Sequence, residues 1–338
     1  MLERREIVRV VCFGEALVDM LSNRISGAAS ISEPEQFTKF AGGAPANAAV
    51  AVAKLGGNAY FSGMLGEDMF GHFLNSALAA EGVNTDHVKF TDEAKTALAF
   101  VTLDSNGERS FEFYRPPAAD LLFREEHLSP ELFTGTGILH ICSNSLTEKA
   151  IEHTTKAVVD RARAAGWLVS LDVNLRHDLW PAGIADRQTV NSLVSQADIV
   201  KFSLEELEFL ADEGAADVEG FISQQLQQGA QLLLITNGGL PVRWMTRSHS
   251  GSVQPPCVEA VDTTAGGDGF IGGFLYQLSM QTVSPDRLSE WLGSKEFMRA
   301  LEFACACGAH AVSRKGAFVA LPTLESLQTF GFGMTASY

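Results

Sequence analysis

The chain has 338 residues and carries 41 acidic against 25 basic side chains, for a formal net charge of −16. So acidic a surface repels the phosphates of nucleic acids and of anionic lipids, which excludes both as expected partners. The apolar fraction of 46% can fill a sizeable core, and we expect neither a signal peptide nor a membrane-spanning helix. Five irregularly spaced cysteines favour a reducing cytoplasm over a disulfide framework.

The N-terminal part of the chain predicts two strands and two helices. Residues 7–13 are rich in valine and predict a buried strand. Residues 44–55 predict a helix of small residues, which a pair of glycines closes. A second strand at 59–62 and a second helix at 71–81 follow.

Two strand-like runs in the middle of the chain follow a different pattern. Leu98–Leu103 and Arg109–Tyr114 are separated by a segment with Asn106 and Gly107, a strong signal for a hairpin turn. In the second run aromatic and polar side chains alternate, which predicts a sheet that is covered on one side only.

From residue 137 onward strands and helices alternate. The predicted strands are 138–142, 168–173, 199–202 and 231–236, and the predicted helices are 150–165, 204–211, 268–280 and 297–313. Such alternation predicts a parallel sheet with helices on both faces. The expected fold class is therefore α/β: one doubly wound domain over 1–338, with a small β-sheet lid built from insertions near 19–40 and 95–119.

One glycine-rich segment, residues 261–270, carries the most chemical information. Ala265, Gly266 and Gly267 are small enough for the backbone to approach a ligand, and they lie at a predicted helix N-terminus, where the helix dipole favours anions. Asp268 in the first turn can accept a proton from an attacking hydroxyl group. The structural alternative is a tight turn in which Asp268 merely starts the helix.

A second group of small and polar residues opens the first predicted helix. Gly42 and Gly43 would let the backbone meet a ligand, and Asn47 offers both a donor and an acceptor to hydroxyl groups. Asp19 follows the first strand, at the sheet edge where ligands bind in parallel α/β folds. The alternatives are close packing of helices and an ordinary exposed acid in a turn.

These segments resemble the two signatures of the ribokinase-like (phosphofructokinase B type) carbohydrate kinases, with the fructokinases most similar. The family's second signature reads D-T-T-G-A-G-D, whereas Ala265 here replaces its first glycine and the order becomes Ala-Gly-Gly-Asp. The resemblance covers nearly the whole chain. It implies a ribokinase-like fold in which Asp268 is the catalytic base and the amides of 265–267 stabilise the transferred phosphoryl group. It also implies that the sugar is bound by Asp19, Gly42, Gly43 and Asn47.

The resemblance assigns roles to three further sugar-side residues. Phe100 would cover the face of the sugar and Arg115 would reach its oxygens, both from the lid. Arg176 stands in a D-x-N-x-R stretch, and its guanidinium suits a phosphate or the charge of a transition state. Surface salt bridges are the alternative for both arginines.

The residues expected to bind ATP and metal ions are assigned from shorter similarities to the family. Ser203 and Glu206 occupy the place of the family's N-x-x-E motif, so Glu206 would hold Mg²⁺ through water, although an ordinary acid in the first helical turn is the alternative. Further ATP-binding residues would be Thr236, Gly238, Cys307 and Gly316. A monovalent cation, K⁺, would lie near Asp262, Thr264 and Ser313.

The resemblance implies ATP-dependent phosphorylation of a sugar hydroxyl group, with fructose giving fructose 6-phosphate as the leading reaction. A kinase of 2-keto-3-deoxygluconate, ribose or a nucleoside is the nearer alternative, and a non-catalytic sugar-binding regulator is the remoter one. Neither a Walker A motif nor a dinucleotide fingerprint occurs, so a dinucleotide-dependent oxidoreductase is disfavoured. The bare apolar face of the lid predicts a homodimer through the lids.

Overall fold

The computed structural model describes residues 8–25, 34–103, 109–115, 117–211 and 218–330, and most of their strands form one sheet. The strands of this nine-stranded sheet are β1 (Arg9–Phe13), β4 (Asn58–Gly66), β5 (Asn84–Thr91), β8 (Gly137–Cys142), β9 (Leu168–Asp172), β10 (Ile199–Ser203), β11 (Leu232–Thr236), β12 (Val242–Met245) and β13 (Ser250–Val253). A second sheet contains β2 (Leu17–Ile25), β3 (Phe37–Gly42), β6 (Leu98–Leu103) and β7 (Arg109–Tyr114).

The large sheet is mostly parallel, which confirms the predicted fold class. Its strand order is β13-β12-β11-β10-β9-β8-β1-β4-β5. Neighbours from β5 to β11 run parallel, and β12 and β13 add an antiparallel edge. The chain proceeds in one direction through β4 and β5 and in the other from β8 onward, so the strand order reverses beside β1. In open α/β sheets such a reversal opens a crevice for ligands at the carboxyl ends of the strands.

Helices cover both faces of the large sheet. They are α1 (Ala44–Lys54), α2 (Met69–Ala80), α3 (Lys149–Ala164), α4 (Arg187–Val194), α5 (Leu204–Ala211), α6 (Val218–Gln228), α7 (Gly266–Met280), α8 (Pro285–Leu292), α9 (Lys295–Val312) and α10 (Leu324–Thr329). Side chains of each strand alternate between two apolar layers, so Val10 and Cys12 pack with α1, α7 and α9, whereas Val11 and Phe13 pack with α3 to α6. Within the described ranges no helix is long and apolar enough to cross a membrane.

The small sheet, which we call the lid sheet, has the strand order β3-β2-β6-β7. The central pair β2 and β6 is parallel, and the two outer pairs are antiparallel. Strands β6 and β7 have the bounds that the sequence predicted, while the predicted turn at Asn106 and Gly107 lies outside the described residues. The segments near 19–40 and 95–119 contribute to all four strands.

Glycines bring helix α7 close to its neighbours. A Cβ atom on Gly273 would lie 2.7 Å from the Cys307 sulfur of α9, and a Cβ atom on Gly272 would collide with Ala51 of α1. Because the backbones approach so closely, the N-terminal turn of α7 lies beside the first turns of α1, where Asn47 stands. This packing sets the geometry of the site described next.

Candidate active site

Two adjoining cavities meet at Asp268. The lid cavity, of about 690 Å³, is bounded by Asp19 and Phe113 of the lid sheet. The C-terminal cavity, of about 790 Å³, is bounded by the loops that follow β10 and β11 and by α9. Asp268, Asn174 and Arg176 line both cavities. Groups bound in the two cavities can therefore meet beside one carboxyl group.

The carboxyl group of Asp268 is buried and hydrogen-bonded on both oxygens. Its side chain accepts from Nδ2 of Asn47 at 2.7 Å and from Nδ2 of Asn174 at 3.5 Å. Asn174 adopts a left-handed φ of 42°, which asparagine tolerates better than most residues. The pKa of Asp268 is raised to about 7, chiefly by burial and then by the charge of Asp172, while Asn47, Lys201 and Arg176 act in the opposite direction. A carboxyl group with this pKa suits a general base at neutral pH.

The N-terminal turn of α7 forms an electropositive wall of the C-terminal cavity. Gly266 and Gly267 line this cavity, while Ala265, the N-cap residue, is buried in the core instead. Helix geometry leaves the first-turn N–H groups of Gly267 and Asp268 without an intrahelical acceptor. A Cβ atom on Gly267 would lie 3.0 Å from Nζ of Lys201, so an ammonium group adjoins these amides.

Lys201 forms a buried ion pair that sequence reasoning did not assign to the site. Its Nζ lies 2.8 and 2.9 Å from the two oxygens of Asp172, and the side chains are 5% and 0% exposed. Burial alone would lower the pKa of Lys201, but the charges of Asp172, Glu206 and Asp268 outweigh it and the net shift is upward. The lysine therefore stays charged at the wall of the C-terminal cavity. The available signal was a lysine in a strand whose other residues are mostly apolar.

Two glycines shape the lid cavity around Asp19. Asp19, Gly43 and Asn47 line this cavity, as the sequence suggested. Gly42 does not line it; a Cβ atom there would collide with the Asp19 carboxylate, so the glycine makes room for that side chain. Gly43 has a φ of 103°, and a Cβ atom on it would lie 2.7 Å from the carbonyl oxygen of Glu15. Position 43 therefore requires glycine, whereas a side chain at position 42 would displace the Asp19 carboxylate from the cavity.

The aromatic residue of the lid that faces the cavity is Phe113, and the prediction for Phe100 is wrong. Phe113 pairs in register with Ala99, which pairs with Asp19, so this row lies on the cavity side. Phe100 is one position further along β6, and side chains of a strand alternate between faces. Its ring instead contacts Phe37 and Tyr114 on the opposite face.

Arg115 does not reach into either cavity, contrary to the sequence-based prediction. Its guanidinium is buried and donates from Nε to Asp120 at 2.7 Å and from Nη2 to the carbonyl oxygen of Asn144 at 2.9 Å. The arginine is thus held behind the cavity wall by a carboxylate five residues away. Arg176, by contrast, lines both cavities, and its Nη1 donates to the carbonyl oxygen of Leu175.

Ser203 and Glu206 form a reciprocal cap at the start of α5. The Ser203 N–H donates to Oε2 of Glu206 at 2.7 Å, and the Glu206 N–H donates to the Ser203 hydroxyl oxygen at 3.1 Å. The other oxygen of Glu206 accepts from the Leu175 N–H at 2.9 Å. Both residues line the C-terminal cavity, so a structural and a ligand-binding role coexist there.

Some of the remaining residues that were predicted to bind ATP line the C-terminal cavity, and others lie away from it. Thr236 and Gly238 line the C-terminal cavity. Cys307 does not, because it faces α7 and α10 on the other side of α9; Cys305 is the α9 cysteine that lines the cavity. Gly316 also lies outside the cavity wall, and its N–H donates to Oδ2 of Asp262 at 2.8 Å.

The residues predicted for a monovalent cation lie on two adjacent loops. The carboxylate of Asp262 accepts from the N–H groups of Gly316 and Thr264 and so joins the loops. The Ser313 hydroxyl donates to the carbonyl oxygen of His310, which commits it to the end of α9. A cation held here would therefore depend mainly on backbone carbonyl oxygens, which carry little trace in sequence.

Comparisons with known proteins agree with this geometry. Residues 8–324 match the family described as pfkB family carbohydrate kinase. The chain belongs to the pfkB family of carbohydrate kinases. A curated relative, probable fructokinase-3 of Arabidopsis thaliana, is 42% identical over 320 residues, which cover 94% of this chain and 90% of the relative.

Solved structures of the family have the same fold. Fructokinase with bound ATP from Xylella fastidiosa matches with a TM-score of 0.89 and 49% identity, and covers 95% of this chain and 97% of its own. A double mutant of fructokinase from Vibrio cholerae O395, bound to fructose, ADP and a potassium ion, matches with a TM-score of 0.83 and 34% identity, over 96% of this chain and 98% of its own. The family-level prediction from the sequence is thereby confirmed.

Proposed function

We propose that the protein transfers the γ-phosphoryl group of ATP to the primary hydroxyl group of fructose and releases fructose 6-phosphate. The observation that carries this proposal is the position of Asp268, whose carboxyl group lies where the two cavities meet. Sugar in the lid cavity and triphosphate in the C-terminal cavity would bring the acceptor hydroxyl group and the γ-phosphorus together where the cavities join, with Asp268 beside the hydroxyl group. The fructokinase relatives described above support the choice of sugar.

The sugar side of the mechanism uses Asp19, Asn47 and Asp268. Asp19 and Asn47 would bind hydroxyl groups and orient the ring, while Phe113 covers its apolar surface. Asp268 would accept the proton of the attacking hydroxyl group as the oxygen approaches phosphorus. Closure of the lid sheet over the sugar would exclude water and limit hydrolysis of ATP.

The phosphate side of the mechanism uses the N-terminal turn of α7 and two cationic side chains. The N–H groups of Gly267 and Asp268 and the ammonium group of Lys201 would stabilise the charge on the transferred group, and Arg176 would do so where the cavities join. Mg²⁺, when bound to the triphosphate, would neutralise part of its charge. Glu206 fits a water-mediated contact to that ion because its oxygens, although each accepts one N–H group, keep further lone pairs at the cavity wall.

The charges around the lid cavity favour a neutral sugar over a sugar acid. The acids Glu15, Asp19 and Asp268 all line it. Arg115, which a keto acid would have needed as a partner, is held by Asp120 instead. The basic residues left at this cavity are Arg176 and Lys315, and Arg176 also faces the phosphates. An added carboxylate on the substrate would therefore meet mainly like charges.

A potassium ion is proposed beside the loops that Asp262 joins. The Val261 and Asp262 N–H groups donate to the Val312 carbonyl oxygen, which brings the two loops within hydrogen-bonding distance. Both loops adjoin the N-terminal turn of α7, so an ion there would stiffen the turn that receives phosphate. Potassium accompanies fructose and ADP in the Vibrio cholerae structure, which supports this placement.

A panel assay tests the proposed reaction. ADP release would be measured with ATP and Mg²⁺ against fructose, glucose, ribose, 2-keto-3-deoxygluconate and adenosine. We expect fructose to give the highest kcat/KM. Faster release with another sugar would reject fructose as the substrate, and silence with every sugar, in a folded protein that binds ATP, would favour a sugar-binding regulator.

The rate should fall in acid because the base is then protonated. The pKa of Asp268 is raised to about 7, so its carboxylate form predominates above that pH and is lost below it. We expect kcat/KM for fructose to be nearly constant above pH 8 and to fall about tenfold per pH unit well below pH 7. A profile measured from pH 5 to pH 9 at saturating ATP checks this. A flat profile down to pH 5 would reject a base with this pKa.

The two lid phenylalanines provide a matched pair of variants. Phe113→Ala removes a ring from the cavity wall, so we expect the KM for fructose to rise about tenfold, or about 1.4 kcal/mol of lost binding. Phe100→Ala removes a ring of the same size from the opposite face and should leave that KM within about twofold. Steady-state kinetics of both variants distinguishes the faces. A larger effect at Phe100 would reverse the assignment.

We also propose that the protein is a homodimer in which two lid sheets pair through their outer faces. That face carries Phe37, Phe100 and Tyr114, and Tyr114 is 60% exposed. Such a cluster of aromatic rings is typical of an interface. Light scattering should give twice the chain mass of 36.3 kDa, and Phe100→Asp should give a monomer. A monomeric wild-type protein at assay concentration would reject the dimer.

The cysteines support a cytoplasmic location for this enzyme. All five are free: Cys12, Cys142, Cys305 and Cys307 are buried, and Cys257 is exposed. An exposed thiol is best preserved where glutathione and thioredoxin keep thiols reduced. We therefore place the reaction in a reducing compartment, with cytoplasm as the proposal.

A further inference from the structure

Four buried oxygen atoms at the lid cavity have no hydrogen-bond partner among the described residues. They are Oε2 of Glu15 and the Oδ1 atoms of Asn47, Asn144 and Asn174. Each of these side chains belongs to a residue that is less than a tenth exposed. Folded proteins rarely leave buried acceptors unpaired, because an unpaired acceptor loses its hydration without compensation. Four such atoms around one cavity therefore indicate hydrogen-bond donors supplied by a ligand.

Two of these oxygens belong to the surroundings of the base. Asn47 and Asn174 both donate their amide hydrogens to Asp268. Glu15 and Asn144 form a separate pair, in which Nδ2 of Asn144 donates to Oε1 of Glu15 at 3.0 Å. Within the pair, Oε1 of Glu15 is hydrogen-bonded, whereas Oε2 of Glu15 and Oδ1 of Asn144 have no partner among the described residues. The lid cavity consequently has a second polar region besides the one at Asp268.

The fold places this pair where the strand order of the large sheet reverses. Glu15 follows β1 and Asn144 follows β8, and these two strands are parallel neighbours. Gly14, with a φ of 144°, lets the chains converge, since a Cβ atom there would lie 2.9 Å from the Ser145 hydroxyl oxygen. The pair therefore occupies the crevice in which a ligand of this fold class binds.

A buried ion pair behind the wall holds the backbone of Asn144 in place and acts electrostatically on Glu15. Arg115 binds Asp120 and donates from Nη2 to the carbonyl oxygen of Asn144. The guanidinium also acts electrostatically on Glu15, yet burial outweighs this attraction and the pKa of Glu15 is raised. The guanidinium is hydrogen-bonded to Asp120 and not to Glu15, so Oε2 of Glu15 is left at the cavity without a partner in the described part of the chain.

We propose that Glu15 and Asn144 form a second hydroxyl-recognition pair, which binds sugar hydroxyl groups remote from the one that is phosphorylated. Arg115 and Asp120 are positioning residues for this pair and do not touch the sugar. The inference rests on the proposed function, because it assigns the pair to hydroxyl groups of the same substrate. It predicts that the enzyme discriminates strongly against analogues that lack one particular hydroxyl group, since a buried acceptor would then stay unpaired.

The test compares fructose with its monodeoxy analogues in the wild-type protein and in Glu15→Gln. We expect the wild type to lose about 10- to 100-fold in kcat/KM with at least one analogue that retains the reacting hydroxyl group. In Glu15→Gln the KM for fructose should rise about tenfold, and discrimination at that one hydroxyl group should collapse towards unity. Discrimination at the other hydroxyl groups and the KM for ATP should change less than about threefold.

A purely structural role for Glu15 would lower the rates with all sugars together and leave every ratio unchanged, which would overturn the inference. Glu131→Gln, at an exposed acid outside both cavities, serves as the control and should behave as the wild type. Asn144→Ala provides the same comparison if Glu15→Gln does not fold. Wild-type silence with fructose would reject the proposed substrate and the inference together, whereas normal turnover with unchanged ratios in both variants would reject the inference alone.

Discussion

Asp268→Asn should lower kcat by about 10²- to 10⁴-fold, which is the usual contribution of a general base. The asparagine keeps the size of the side chain and its oxygen can still accept from Asn47 at the position that Oδ2 occupies now. It cannot accept a proton from the attacking hydroxyl group at neutral pH. We therefore expect the KM values for sugar and ATP to change far less than kcat.

Thermal unfolding provides the control for this variant. The folded-state pKa of Asp268, about 7, lies above the ordinary value of 3.8, so the stability contributed by its protonated form is lost as the pH rises through 7. An asparagine never acquires the charge. Asp268→Asn should accordingly gain stability relative to the wild type between pH 5 and pH 8. Near-normal activity of a folded Asp268→Asn protein would contradict the assignment of the base.

Lys201→Met should destabilise the fold by about 3–5 kcal/mol, because it leaves the carboxylate of Asp172 buried without its partner. Both side chains are at most 5% exposed, and the lysine contacts both oxygens of Asp172. Methionine has a similar length and is apolar, so the loss measures charge and hydrogen bonding more than volume. Urea unfolding at pH 7.5 gives the free energy directly.

A double-mutant cycle with Asp172→Asn measures the interaction free energy of Lys201 and Asp172, apart from the contacts that each makes with other residues. Since neither position 172 nor position 201 then carries a buried charge, we expect Asp172→Asn/Lys201→Met to recover much of the stability lost by Lys201→Met alone. Catalysis should not recover, because the ammonium group beside Gly267 is still missing. Additive effects of the two substitutions on stability would show that the two groups do not act as a pair.

The order of the elements and the main motifs could be predicted from the sequence, because each depends on local pattern. Strands β6 and β7 and helix α5 have the predicted bounds. Strands β5, β12 and β13 and helices α4, α6, α8 and α10 were not predicted. Most of these elements are short, and the strands among them lie at or next to the edges of the large sheet, where one-sided burial weakens the apolar pattern.

Two errors within the site concern which side of a strand or helix meets the cavity, and not whether that strand or helix exists. Phe100 and Phe113 both lie on correctly predicted lid strands, but which face met the cavity depended on how the strands pair. Cys305 and Cys307 are two positions apart on α9, about 200° around the helix axis, so they face opposite sides and the orientation of the helix decides which one meets the cavity. The close packing of α9 against the glycines of α7 determines the orientation of α9. The sequence around the two cysteines does not reveal this contact.

The missed residues required knowledge of distant contacts. Arg115 reads as a ligand-binding arginine until the position of Asp120 is known. Glu15 and Asn144 are 129 residues apart in sequence and meet only because β1 and β8 are neighbours. The role of Lys201 likewise depends on Asp172 in the adjacent strand. Neither sequence motifs nor hydrophobic periodicity reveal such tertiary contacts.

Product identification in a coupled assay tests the central claim most directly. Fructose, ATP and Mg²⁺ would be incubated with the wild type or with Asp268→Asn, and fructose 6-phosphate would be converted by phosphoglucose isomerase and glucose 6-phosphate dehydrogenase to give NADPH. We predict one NADPH per ADP for the wild type and at least a hundredfold slower formation for Asp268→Asn. ADP release without NADPH, or equal rates for both proteins, would contradict the proposed reaction or its base.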